Sequence, residues 1–173
     1  MGKQVQPGEM NAVTDYSALI DGAGINVCKL LLDDELTILW ANDNFYISSG
    51  FGKDEYQTLF HHIKAYYTGH GDEFAKIKNA FYDVLQKGER RVKVGCRRPL
   101  KDNTCAWINI DGIITGEIVD SKPVALAVYS DISDLTRLKA ERDQLLEEKT
   151  RYFEWMMDEY VGNIYISDLE TYE

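Results

Sequence analysis

Six apolar positions in a row, Val124-Ala125-Leu126-Ala127-Val128-Tyr129, run almost directly into a charged segment, Leu135-Thr136-Arg137-Leu138-Lys139-Ala140-Glu141-Arg142. The first is short and apolar at consecutive positions, as a strand in the middle of a core is. The second spaces its leucines three apart among charges, which predicts a helix. Only Asp131-Ile132-Ser133-Asp134 and one further residue lie between. A core strand that feeds straight into a polar helix can export a mechanical change. The residues before it then read as a sensor, and those after it as an output lever.

What precedes must bury that strand. Val27 to Leu32 reads as a strand, with Lys29 interrupting the apolar run so that Cys28, Leu30 and Leu32 share a face. Asp33-Asp34-Glu35 turns the chain, and Leu36 to Ala41 returns as a second strand of a hairpin. Lys53 to Tyr67 carries short helical turns with Tyr56, Leu59, Phe60, Ile63, Tyr66 and Tyr67. From Asp72, Phe74, Ile77, Phe81 and Val84 recur on one helical face, and Gly88 stands where a helix C′ glycine belongs. Arg91 to Arg97 alternates, with Val92, Val94 and Cys96 on one face and Arg91, Lys93 and Arg97 on the other. Thr104 to Glu117 is a long strand, with a bulge expected near Gly112.

Two local signatures give this order a family likeness. Asp131-Ile132-Ser133-Asp134 after a strand and before a charged helix resembles the exit of PAS domains, where Asp-Ile-Thr and an acidic residue are common; Ser133 replaces the threonine. Trp40-Ala41-Asn42-Asp43-Asn44-Phe45, then Gly50-Phe51, resembles the passage from second strand to first helix in that family. Asn42 takes the family's Asn position and is suited to cap the helix that follows. The resemblance covers residues 24–134. It implies an α+β PAS fold: a five-stranded antiparallel sheet with helices on one face, an N-terminal flanking helix and a C-terminal signalling helix.

Residues 1–23 are expected to be a polar tail and a flanking helix from Glu9 to Ile20, either a packing flap or a dimer contact. Residues 135–160 form a linker helix on which a heptad can be laid, with Leu135, Arg142, Lys149 and Met156 at a and Leu138, Leu145 and Tyr152 at d. Two cations at a weaken such a seam and fix its register; Glu147 and Arg151 stand as an i,i+4 pair. It reads either as a coiled coil or as a solvated connector. Residues 161–173, with Gly162 to Tyr172 loosely repeating Val27 to Thr37, read as a first strand of a second, truncated PAS-like domain.

Other chemistries find little support. Gly71-Asp72-Glu73-Phe74 resembles the diguanylate cyclase signature, but His70 replaces its first glycine and the residues that follow are helical. Asp72 and Glu73 serve instead at a helix N-terminus. His61, His62 and His70 lack the spacing of a zinc set, and haem would need one of them to face the pocket. The flavin branch of the family carries a reactive cysteine in Asn-Cys-Arg-Phe, which is absent; Cys28, Cys96 and Cys105 fall on strands. Their odd count without a framework suits a reducing compartment. A formal charge of −10 disfavours nucleic acid, and the basic run Arg90, Arg91, Lys93, Arg97, Arg98 reads as the wet face of a strand, with an anion contact or a domain-docking surface as the other reading. No stretch approaches the roughly 20 apolar residues of a membrane span.

The expectation is a non-enzymatic, cytoplasmic sensory module whose parent protein carries a diguanylate cyclase or histidine kinase, and which is membrane-anchored, if at all, elsewhere. Its partners are a second copy through the flanking helices, a downstream output domain and an unknown small molecule. Trp40, Phe45, Tyr46, Phe60, Tyr67, Phe74, Ile77, Phe81, Val94 and Tyr129 are the candidate ligand pocket, and Asp131, Ile132, Ser133 and Asp134 the relay. The other reading of the pocket residues is simply core, and with it a ligand-free dimerisation scaffold.

Overall fold

The computed structural model describes residues 20–170, with side chains through 159. The elements are β1 (Asn26–Leu31), β2 (Thr37–Ala41), α1 (Asp43–Ile47), α2 (Lys53–Leu59), α3 (Ile63–Tyr66), α4 (Gly71–Gln86), β3 (Arg91–Pro99), β4 (Cys105–Val119), β5 (Lys122–Asp131) and α5 (Ser133–Glu170). The strands form one sheet in the order β2-β1-β5-β4-β3, every neighbouring pair antiparallel. The strand order places β5 between β1 and β4, so the last strand holds both hairpins together. That position explains its continuous apolar run: Val124, Ala125 and Ala127 are fully buried.

Alternation assigns the inner face of the sheet. Cys28 pairs with Ala127 and Leu30 with Ala125, all four buried. On β4, Ala106, Ile108, Ile110, Gly112 and Ile114 face inward in turn. α4 lies over this face through Ile77 and Phe81. Gly112 is not a bulge: its pairings with Val92 and Ala127 are regular, and the irregularity falls between Ile114 and Ile118. The glycine is needed for another reason. A Cβ there would stand 2.9 Å from Cε1 of Phe81, so the ring occupies the space that any other side chain would take.

The turns use local chemistry. Asp33 accepts from the Glu35 and Thr37 amides and from the Thr37 hydroxyl, which closes the β1–β2 hairpin. Gly88 has φ +68°, and the amides of Gly88 and Glu89 bond back to the carbonyls of Leu85 and Val84, which ends α4 as predicted.

Three further expectations are corrected. Trp40 is 49% exposed, because β2 pairs it with Lys29 on the outer face while Ala41 pairs with Cys28 on the inner one. Gly162 to Leu169 is helix, not strand, since α5 continues to Glu170. A lone strand leaves its backbone unpaired, whereas a helix pairs its own. Glu147 and Arg151 form no ion pair; α5 carries Arg137–Asp134 and Arg142–Asp143 instead. The expected flanking helix at Glu9 to Ile20 lies outside the described residues apart from Ile20, which is helical with Asp21 and Gly22.

The chain divides into two compact units between Ile132 and Ser133. Among the described residues the second unit consists of α5. Leu135, Leu138, Leu145 and Tyr152 along it are all more than half exposed.

Candidate functional site

The inner face of the sheet is closed over by aromatic side chains from three short helices. α1 delivers Phe45 and Tyr46, α2 delivers Tyr56, and α3 with its C-cap delivers Tyr66 and Tyr67. Tyr129 rises from β5 to meet Phe45 edge to face at 5.1 Å between centroids. Tyr56 sits in the middle, 5.3 Å from Tyr46, 5.2 Å from Tyr66 and 5.1 Å from Phe60. Apart from the tilted Tyr56–Tyr66 pair, these contacts are edge to face and place ring hydrogens against ring faces, which holds the rings in defined orientations.

Arg98 lies inside this cluster, 2% exposed. Its guanidinium carbon is 4.7 Å from the Phe45 centroid, 5.6 Å from Tyr129 and 5.7 Å from Tyr66. Nη1 donates to Ser48 Oγ at 2.8 Å and Nη2 to the Phe45 carbonyl at 2.9 Å. Among the described residues no carboxylate pairs with it. Burial raises the Tyr56, Tyr67 and Tyr129 hydroxyls well above the usual tyrosine range despite the arginine nearby. The tyrosines are therefore neutral at neutral pH and offer dipoles and π faces, not counter-charges. The expectation that Arg98 belongs to the wet face is overturned. Period two along β3 continues Val92, Val94, Cys96 to Arg98, so the pattern that placed the first three inward places the fourth there too.

The second buried charge is treated differently. Glu73, 2% exposed, accepts from Arg97 N at 3.1 Å, Arg97 Nε at 2.9 Å and Lys76 Nζ at 3.1 Å. Burial pushes its carboxyl up, but these hydrogen bonds outweigh burial and hold it below the ordinary range. Glu73 is thus more than a favourable charge at a helix start: it clamps the first turn of α4 to β3. Asn42 likewise does more than cap. Its Oδ1 accepts from Phe45 N at 3.3 Å and from Val27 N at 2.9 Å, while Nδ2 donates to Ile25 O and Asp21 Oδ1. One side chain ties the entry of β1 to the start of α1.

Of the predicted lining, Phe45, Tyr46, Tyr67 and Tyr129 join the cluster. Ile77 and Phe81 are core beneath α4, and Phe60, Phe74 and Val94 pack at its margin. Sequence reasoning left Tyr56, Tyr66 and Arg98 out of the lining. Beside the cluster a groove of about 230 Å³ is lined by Ile38, Tyr46, Tyr56, Gln57, Phe60 and His61. His62 caps α3, its Nδ1 accepting from the Ala65 amide, with Nε2 3.3 Å from Glu35. Burial pushes the Cys96 thiol up to about 11 and raises Cys28 further, so neither is a nucleophile at neutral pH. Among the described residues no group of three or more His, Cys, Asp or Glu is placed to hold a metal.

The relay segment spans the end of the sheet. β5 ends at Asp131, the Ile132 amide still donates to the Trp107 carbonyl at 2.8 Å, and helix begins at Ser133.

No family model and no curated protein matches the chain. Solved structures do. A sensory box histidine kinase/response regulator from Burkholderia thailandensis superposes with a TM-score of 0.56 at 17% identity, over 76% of this chain and 98% of that one. A PAS domain from Colwellia psychrerythraea gives 0.55 at 13% identity, over 71% and 98%. An RNA-binding Light-Oxygen-Voltage receptor gives 0.62 at 12% identity, over 88% of this chain but 41% of that one. Sheet order, helix placement and these superpositions agree: the chain has the PAS fold.

Proposed function

We propose that this chain is a sensory module of a signalling protein. A small molecule held on the inner side of the sheet, or a partner, favours one arrangement of the sheet. Asp131, Ile132, Ser133 and Asp134 pass that choice into α5, and two copies meet through their flanking helices. The observation that carries the reading is the run from β5 to α5. β5 is bonded on both edges, the ladder extends to Ile132, and the helix starts at the next residue, so no slack loop separates them. A ligand shifts such an equilibrium only by its differential affinity for the two states.

Similarity to a sensory box histidine kinase/response regulator supports a histidine kinase as the output, with a diguanylate cyclase as the other output for which the sequence resemblance speaks. No described helix is long and apolar enough to cross a membrane, which is compatible with a cytoplasmic site of action.

The test is native mass spectrometry of the purified protein, followed by hydrogen exchange of residues 133–159 before and after a bound molecule is removed. A stoichiometric small molecule whose removal alters exchange in α5 supports sensing. Unchanged exchange in α5 sinks it. One observation favours a second reading, a ligand-free dimerisation scaffold: Phe45, Tyr46, Tyr67, Ile77, Phe81 and Tyr129 are all at most 4% exposed, as core side chains are. Purification without any small molecule, with dimerisation intact, selects it.

A further inference from the structure

The two buried charges differ in how they are compensated. Glu73 is met by two cations, whereas Arg98 is met by the Ser48 and Tyr66 hydroxyls, one carbonyl and ring faces, with no carboxylate among the described residues. A desolvated cation without an anion is costly, and ring faces and dipoles offset only part of that. The same cluster holds two further oddities. Tyr56 and Tyr129 each bury a hydroxyl oxygen for which the protein supplies no hydrogen-bond partner. Buried hydroxyls are nearly always bonded. Tyr129 belongs to the ring cage around Arg98, and Tyr56 packs 5.7 Å from Phe45 and 5.2 Å from Tyr66 in that cage.

The inventory is thus rich in donors and poor in acceptors. A guanidinium only donates, and a protonated tyrosine hydroxyl has a proton to give. One positive charge calls for one negative charge, not two, and aromatic walls call for a carbon body. We infer that Arg98, Tyr56 and Tyr129 form the head of a site for a small monocarboxylate, whose oxygens take the guanidinium and hydroxyl donors while its carbon body lies against the rings. Tyr56 also walls the 230 Å³ groove with Gln57 and His61. The inference rests on the sensory reading of the same interior and names the class of ligand.

The test is calorimetric titration and thermal unfolding of the full chain with sodium formate, acetate, butyrate and benzoate. Butyramide and benzamide serve as uncharged isosteres, and sodium chloride as an anion without a carboxylate. At least one carboxylate is expected to bind one to one and raise the midpoint, while the amides and chloride do neither. The Tyr56→Phe, Tyr129→Phe double variant loses no protein hydrogen bond, so it should fold and bind about tenfold or more weakly. Arg98→Met should not bind; if it does not fold, the double variant carries the test. An equal response to the amides, a response to chloride alone, no response to any carboxylate, or unchanged affinity in the double variant overturns the site. Hydrogen exchange over 133–159 in the same samples separates the two claims. A carboxylate that binds without altering α5 sinks the sensory reading and keeps the site. A different copurified molecule that alters α5, with no carboxylate bound, sinks the site and keeps the reading.

Discussion

The sheet unit and α5 spend their apolar residues in opposite ways. In the sheet unit Phe45, Tyr56, Ile77, Phe81 and Ile110 are at most 1% exposed, and the two buried charges are wrapped by side chains from several elements. Along α5, Leu138, Leu145, Phe153 and Trp155 are all more than half exposed, and its ion pairs are local. The sheet unit has a core of its own and can be stable alone. A single helix has none, and isolated helices owe little stability to propensity. The lesson is that one part of this chain is built to hold a shape and the other to take its stability from something outside itself.

The sharpest attack on this contrast is at Phe81, fully buried under α4. Phe81→Ala should cost about 3–5 kcal/mol in denaturant unfolding, the usual range for a core phenylalanine. A loss under 1 kcal/mol would mean that α4 is not part of the core.

Glu73→Gln should cost about 2 kcal/mol at neutral pH, because it removes charge-assisted bonds from Arg97 and Lys76. The sign with pH follows from the lowered carboxyl. A depressed folded pKa stabilises fully above the unfolded value, and that stability disappears as pH falls through the folded value. The gap between wild type and Glu73→Gln in urea melts should therefore be full above the ordinary value of 4.5 and close in more acid solution. A gap that widens on acidification contradicts the clamp.

Gly112→Ala forces a methyl group against Phe81 and should cost about 1–3 kcal/mol, typical of an overpacked core. Pairing it with Phe81→Leu should recover part of the loss if the ring is the obstacle.

The smallest effect tests the other side of the contrast. Leu138→Ala with Leu145→Ala should change unfolding of the sheet unit by under about 0.5 kcal/mol, as surface changes do. In sedimentation, the proposed pairing of two copies through α5 requires that the same variant run more as monomer than the parent chain. A large loss of sheet-unit stability would show that α5 is core after all.

The element order was readable because it is written locally. Alternation marks Arg91 to Cys96, three-four spacing marks α4, and a glycine ends it. Asn42 was legible as a cap for the same reason, since a cap needs only its own helix. Its bonds to Val27, Ile25 and Asp21 were not, because they join segments distant in sequence. The strand expected from Gly162 failed on the same ground: strand pairing needs a partner that local sequence does not name.

By itself, then, the sequence determined the strands and helices from Val27 to the start of α5, their order, and the join of β5 to α5, since hydrophobic period and turn chemistry act within a few residues. Only the tertiary structure decided that Trp40 faces outward, that Phe81 needs Gly112, and that Glu73 and Arg98 are buried with such different company. Burial of a charge depends on which groups from other elements arrive around it, and that is settled by strand register and helix docking across the whole sheet.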